Sequence, residues 1–388
     1  MKHIATLMLA LLATLTGWAL PYQIGHITVT FTDSARANRS VPTEIYYPAD
    51  IAGDNVSFAA AITGKTPAIS FGHGFVMTYD AYFNVRDAVV GAGYIIAFPT
   101  TEGSFSPSHD AFGKDLAFVL RKLRTLGATS TSVLFNHVDT MNCVMGHSMG
   151  GGAAFLAAAS DASIKSIATL APAETTPSAI GAAATLSLPA LVFAGANDCV
   201  TPPAANQLPM YNGLTSACKH YISITGGSHC QMALTSATCS FGEATCTPAP
   251  AITRTAQHAV INTYLLPWLD QTLKGACSAG ARFDSTLAAD PAITHLNNCS
   301  LCAPSGINTT QLPHQTAVLY PNPCSNEITI SPMAGQNMIT IYTITGIVAL
   351  KQTIDGETKI NVKDLANSIY LYEISGGDAN KRGILVKQ

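Results

Sequence analysis

Three residues of this chain have the types and spacing of a nucleophilic catalyst: Ser148, Asp198 and His229. A serine hydroxyl needs a base to take its proton, an acid to hold that base, and backbone donors to meet the oxyanion. Ser148 stands in Gly146-His147-Ser148-Met149-Gly150, with apolar Val144-Met145 before it and Gly151-Gly152-Ala153 after. This pattern predicts a buried strand, a tight turn with the serine at its tip, and a helix. The glycines are needed because a side chain beside such a turn would collide with the neighbouring strand and helix. Asp198 closes Val192-Phe193-Ala194-Gly195-Ala196-Asn197-Asp198, just past a second apolar run, and is expected as the acid. His229 follows Gly226-Gly227-Ser228, a loop supple enough to carry an imidazole over a sheet edge, and is expected as the base. His220 begins a strand and is the weaker candidate. His147 is excluded because side chains beside the turn's serine point away from its Oγ; it is expected to pack behind the turn.

The oxyanion donors are expected to be the backbone N–H groups of Met149 and Phe75. Met149 starts a helix, where amides are unpaired. Phe75 ends Gly72-His73-Gly74-Phe75, which follows an earlier strand, and His73 is expected to shape that loop. Each piece has a bland alternative: a glycine-rich loop, a surface-turn or helix-capping aspartate, a plain turn. The order Ser, Asp, His, each just after a strand, favours chemistry.

The elements that must position these residues alternate. Two antiparallel strands are expected in residues 22–48, then a strand over 65–71 running into the Gly72 loop, a helix over 79–92 and a strand over 94–98. Helical spacing recurs over 110–126, before the serine's strand and helix. Strands follow at 164–170, 189–195 and 220–224, and a closing helix at 254–273 is interrupted at Pro267. Strands alternating with helices predict an α/β fold with a mostly parallel sheet covered on both faces, and such sheets bind ligands at the carboxyl ends of their strands. Only residues 172–188 separate the serine's unit from the acid's strand, too little for a large cap, so an open cleft is expected. Beyond a polar linker at 305–315, short alternating segments separated by turn residues predict a small all-β sandwich over 316–388.

Composition narrows the function. Hydrophobic residues make up 48% and charged residues 11% of 388, and the formal charge is −3. A large core is possible, and no basic stripe or acidic block invites nucleic acid or an anionic membrane. Residues 1–19 have a basic start, an apolar run and a small-residue end, the pattern of a secretory signal. The run is too short for a bilayer span, and no other segment is long and apolar enough, so no integral membrane segment is expected in the mature chain. The catalytic domain is thus expected over 20–304. Ten cysteines in an exported chain imply disulfides. Cys143, on the serine's strand, is expected as a buried free thiol. Cys199 follows the acid and Cys230 the base, so a Cys199–Cys230 bridge would tie the catalytic loops. The rival is local pairing, Cys199 with Cys218 and Cys239 with Cys246. Cys277 is expected to pair with Cys299 or Cys302. Cys-x-x-Cys at 299–302 lacks the second pair or histidine cluster of a metal site, so no metal is expected, and the chemistry requires no cofactor.

Met145 to Ala153, followed by Ile164-Lys165-Ser166-Ile167-Ala168-Thr169-Leu170-Ala171-Pro172, resembles the cutinase-like polyester hydrolases, which include poly(ethylene terephthalate) (PET) hydrolases and belong to the α/β-hydrolases. The resemblance spans about residues 22–300. It implies ester hydrolysis, with Phe75 and Met149 also walling the substrate. One departure is clear. Where the family carries a tryptophan platform, this chain has Ala173 and Glu174, leaving Phe75 and Tyr79 to supply aromatic contact. Leu319-Tyr320-Pro321-Asn322-Pro323, Ile341 to Gly346, Ile369-Tyr370-Leu371-Tyr372 and the basic end Lys381 to Lys387 resemble the sorting domain of type IX secretion substrates. That implies the type IX machinery as partner and release or surface attachment after export. A polymer-binding sandwich is the alternative there, disfavoured by few aromatics. The reading is a secreted serine carboxylic ester hydrolase, a cutinase-like polyesterase expected to act on polyesters such as PET. A lipase or short-chain acyl esterase is the nearest rival, and a surface-displayed binding protein with a relic hydrolase domain is the rival from another class.

Overall fold

The computed structural model describes residues 22–299, 319–330, 336–344, 346–375 and 381–388. They fall into two compact units that divide between residues 304 and 305. The expected signal at 1–19 and linker at 305–315 lie outside the described residues.

In the first unit the chain runs β1 (Gln23–Asp33), β2 (Arg39–Ala49), β3 (Gly53–Asp54), β4 (Thr66–Gly72), α1 (Phe83–Gly91), β5 (Ile95–Pro99), α2 (His109–Ala128), β6 (Val138–His147), α3 (Met149–Ser160) and β7 (Ser166–Leu170). It continues through α4 (Ala179–Ala183), β8 (Ala190–Gly195), α5 (Gln207–Gly213), β9 (Cys218–Ile224), α6 (Ala237–Glu243), α7 (Arg254–Lys274), α8 (Cys277–Ala289) and β10 (Ile293–Cys299). The ten strands make one sheet in the order β10-β9-β8-β7-β6-β4-β5-β2-β1-β3. From β9 across to β5 all neighbours are parallel, while β2, β1 and β10 add antiparallel pairing at the edges.

β4, β5, β7 and β8 are buried along their whole length because both faces are covered. Successive residues serve opposite cores. Ala68, Ile95, Val144, Ile167 and Val192 join α2, α3, α4 and α5 on one face. Their neighbours Ile69, Ile96, Met145, Ala168 and Phe193 join α1, α7 and α8 on the other. α2 buries Phe112, Leu116, Val119, Leu120 and Leu123, the stripe its spacing predicts.

The structure departs from expectation in three places. Residues 79–82 form a short 3-10 turn ahead of α1. α7 continues through Pro267 to Lys274 and stops at Gly275, whose φ of 66° ends it in the left-handed region. β10, antiparallel to β9, was not expected, because Thr294 to Asn298 are exposed and, apart from Leu296, polar, and an edge strand of that kind carries no alternating apolar signal.

The second unit holds two antiparallel sheets. One orders β11 (Leu319–Tyr320), β12 (Glu327–Ile330) and β15 (Thr358–Asn361); the other orders β14 (Val348–Asp355), β13 (Gln336–Thr343), β16 (Ser368–Ser375) and β17 (Lys381–Lys387). Ile328, Ile330 and Ile360 of the first share a core with Ile339, Ile341, Ile354, Ile374 and Leu385 of the second. Among the described residues, no helix is long and apolar enough to cross a membrane.

Candidate active site

Ser148 sits between the end of β6 and the start of α3 with φ 54° and ψ −122°, a conformation that L-residues hold only under constraint. Backbone bonds supply the constraint. Ser148 N–H donates to Leu170 O at 3.1 Å, and Ala173 N–H donates to Ser148 O at 2.9 Å. Close approach does the rest. A Cβ on Gly146 would lie 2.3 Å from Gly150 O, and one on Gly150 would lie 2.1 Å from Gly72 O. The glycines therefore let β6, α3 and the β4 loop meet backbone to backbone. The serine is 8% exposed.

The acid follows β8. Asp198 is buried, and its carboxylate is fully engaged: Oδ1 accepts the N–H groups of Val200 (2.9 Å) and Thr201 (2.8 Å), and Oδ2 accepts the Thr201 hydroxyl (2.9 Å). His229, which follows β9, places Nδ1 2.8 Å from Asp198 Oδ2. A carboxylate oxygen accepts, so Nδ1–H is the donor to Asp198 and Nε2 is the ring nitrogen left for a general base. The loop is clamped from α7. Ser228 N–H donates to Gln257 Oε1 (2.9 Å), and Gln257 Nε2 returns a bond to Ser228 O (2.8 Å). Ser148 Oγ makes no hydrogen bond to His229 among the described contacts. The structure thus brings Asp198 and His229 into direct contact and, among the described residues, leaves Ser148 Oγ without a bond to His229.

The amides of Phe75 and Met149 donate to no acceptor among the described residues. Phe75 lies in a turn closed by Met77 N–H to Gly74 O (3.1 Å), and Val76 holds φ 52°. That is glycine's usual place, so a β-branched residue there stores strain. His73 is buried beneath the loop, with Nε2 2.8 Å from Thr101 O. Ala173 is half-buried at the elbow through its bond to Ser148 O. Tyr79, expected as an aromatic contact for substrate, has its ring 6.0 Å from Phe83 and 6.4 Å from Phe98, packed on the core cluster behind the sheet.

His147 lies behind the turn. Its Nε2–H donates to His229 O at 3.2 Å, so its Nδ1 accepts the Tyr82 hydroxyl at 2.9 Å. Tyr82 in turn accepts Gly74 N–H at 2.7 Å. One buried chain of bonds thus runs from the Phe75 loop to the His229 loop. Burial, then the charge of His229, holds the His147 pKa well below the ordinary imidazole value. His220 faces Phe283 on β9, and burial followed by His295 pushes its pKa down to about 4.

Thr201, Gln207, Gln257 and Tyr82 were not read from the sequence. Thr201 lies 3.0 Å from His229 Nδ1 and accepts Gln207 Nε2 at 3.1 Å. Its position three residues after Asp198 is the one signal it offered, since a hydroxyl there can fold back on the carboxylate. Gln207 acts through Thr201, six residues before it, and Gln257 and Tyr82 act across long sequence separations; none of these offered a signal.

The disulfides correct the expectation. Cys199 pairs with Cys246 and Cys230 with Cys239, in place of Cys199–Cys230 and Cys239–Cys246. His229 contacts Asp198, and Cys230 follows it into a 3-10 turn. The two loops are still joined, through the α6 segment that carries both partner cysteines. Cys299 pairs with Cys218, directly opposite it in the β9–β10 register, in place of Cys277–Cys299. Cys277 is disulfide-bonded elsewhere. Cys302 lies outside the described residues. Cys143 is a buried free thiol, its pKa pushed up to about 12 by burial. Cys218, His220 and Cys299 bring three possible ligand atoms within 4.8 Å, yet both sulfurs are consumed in the bridge.

A largely parallel sheet with helices on both faces, and a strained serine turn at its carboxyl edge, define an α/β-hydrolase domain. The family model described as PET hydrolase-like matches residues 18–245, and the chain belongs to that family. Residues 318–388 match the secretion system C-terminal sorting domain. The chain is a hydrolase with a type IX sorting tail, which marks it for export or the cell surface.

Proposed function

We propose that the protein is a secreted serine carboxylic ester hydrolase that acts on polyesters such as PET. Ser148 Oγ attacks the ester carbonyl while His229 Nε2 takes its proton and Asp198 holds the imidazole. The Phe75 and Met149 amides receive the oxyanion. The alcohol leaves with the proton from His229, and water, activated by the same nitrogen, releases the acid from Ser148. The observation that carries this is the 2.8 Å Asp198–His229 contact on the sheet edge that also bears the strained Ser148 turn. Met149 and Phe75 form the near substrate wall, with Ala173 at its rim. Residues 1–19 act as the export signal, 20–304 as the catalytic domain, 305–315 as the linker and 316–388 as the sorting domain.

A polymer is favoured over a small buried ester because only α4, five residues long, stands between β7 and β8. The test is release of acid from ethyl butyrate, long-chain esters and a polyester film, with Ser148→Ala as control. Loss of activity by about 10³-fold or more in Ser148→Ala is expected. Unchanged activity would overturn the mechanism, and activity on butyrate without activity on film would leave a short-chain esterase.

A further inference from the structure

Two aromatic side chains at the sheet's carboxyl edge belong to no core. Phe75 is 47% and Phe105 81% exposed, and neither joins either core cluster. A single exposed phenylalanine is ordinary. These two are in contact, with ring centroids 6.2 Å apart and planes at 78°, and one of them carries an amide assigned above to the oxyanion hole. Both loops leave the carboxyl ends of adjacent parallel strands, β4 and β5.

The loop carrying Phe105 is fixed at both ends. Glu102 holds φ 62°; its Oε2 accepts Ser108 N–H at 2.5 Å and its Oε1 accepts Arg39 Nη2 at 2.6 Å. Arg39 also pairs with buried Asp115, which accepts the Thr101 hydroxyl at 2.6 Å. Ser104 Oγ accepts Ser106 N–H at 3.2 Å, and Ser108 caps α2. Holding a large apolar ring in water on an anchored loop gains the fold nothing, so its use lies in binding.

The rest of the site increases the need for it. The one tryptophan among the described residues, Trp268, is buried on α7, and the other rim presents Ala173 and Glu174. Resting on the ester-hydrolase reading, we infer that Phe105 is a specificity-determining residue: with Phe75 it forms an aromatic corner that packs against the aryl ring of an aromatic carboxylic ester. Rings set at right angles offer an incoming ring one face and one edge, the two arrangements that aromatic quadrupoles favour. An aliphatic acyl chain gains only contact area there.

The experiment uses the full chain. Phe105→Ala is expected to cut kcat/KM for bis(2-hydroxyethyl) terephthalate about fivefold more than for ethyl butyrate, mainly through KM, and Phe105→Trp is expected to restore the ratio. In a Ser148→Ala background, Phe105→Ala is expected to weaken adsorption to an aromatic polyester film about fivefold, and to an aliphatic polyester film by less than about twofold. Equal losses on both esters, or unchanged adsorption to the aromatic film, would overturn the proposal. A wild-type protein that hydrolyses no ester would overturn the hydrolase reading instead, and the adsorption arm would still decide the aromatic corner.

Discussion

The serine's turn and the acid–base loops sit on one sheet edge, yet they are held by opposite means. The turn is held by the absence of side chains: Gly72, Gly146 and Gly150 bring three backbone segments into contact, and main-chain bonds fix Ser148. The Asp198–His229 pair is held through side-chain bonds, local at Asp198 and long-range at the His229 loop. Thr201 and the Val200 and Thr201 amides grip Asp198, Gln257 clamps Ser228, and two disulfides join both loops to the α6 segment. A backbone-packed site has no slack, whereas a side-chain-braced one loses stability and activity in increments.

Substitutions can break this contrast. Gly150→Ala is expected to destabilise the first unit by about 4 kcal/mol or more, because its Cβ would meet the Gly72 and His73 carbonyls. Gly181→Ala on α4, with nothing closer than 3.4 Å, is expected to shift stability by less than about 1 kcal/mol. Urea unfolding checks both, and equal effects would refute backbone packing as the constraint. Replacing Cys199 and Cys246 with serine is expected to cost about 3–4 kcal/mol, against about 2–3 kcal/mol for Cys230 and Cys239, because the first bridge closes the longer loop, 47 residues against 9. Gln257→Ala is expected to cost about 2 kcal/mol and to lower kcat about tenfold with KM little changed, since it frees the His229 loop but touches no substrate.

A further effect is one of pH. His147 and His220 are buried with folded pKa values below the ordinary imidazole value, so the unfolded chain binds their protons first. Stability is therefore full above about pH 6.5 and falls as pH drops. Each such group costs about 1 kcal/mol between pH 6.5 and 5.5. For His220 the fall continues to about pH 4, its folded value. His220→Phe is expected to flatten that slope in pH-dependent urea melts, and an unchanged slope would count against it.

The same contrast decides what the sequence disclosed. The elbow was legible because its constraint is local: five residues state both the turn and the reason for its glycines. Asp198 and His229 could be singled out because each stands a few residues past an apolar strand run, three after β8 and five after β9. The braces were not, because Gln257 acts across 29 residues and Tyr82 across 65. The disulfide partners were misread for the same reason. Adjacency to Asp198 and His229 suggested Cys199–Cys230, but the partners come from the α6 segment, which bears Cys239 and Cys246, and from β10, whose pairing with β9 sets Cys299 opposite Cys218. Tyr79, expected to share aromatic contact with Phe75, packs on Phe83, and the ring in contact with Phe75 is Phe105, which no local pattern announced.

The central claim is that Ser148 is a nucleophile served by His229. Intact-mass and peptide analysis after treatment with a fluorophosphonate tests it most directly. The account predicts one phosphonyl adduct per chain, on the peptide containing Ser148, absent in Ser148→Ala and formed about 10³-fold more slowly in His229→Ala. Equal labelling of Ser148→Ala, or labelling at Ser148 that is indifferent to His229, would contradict it.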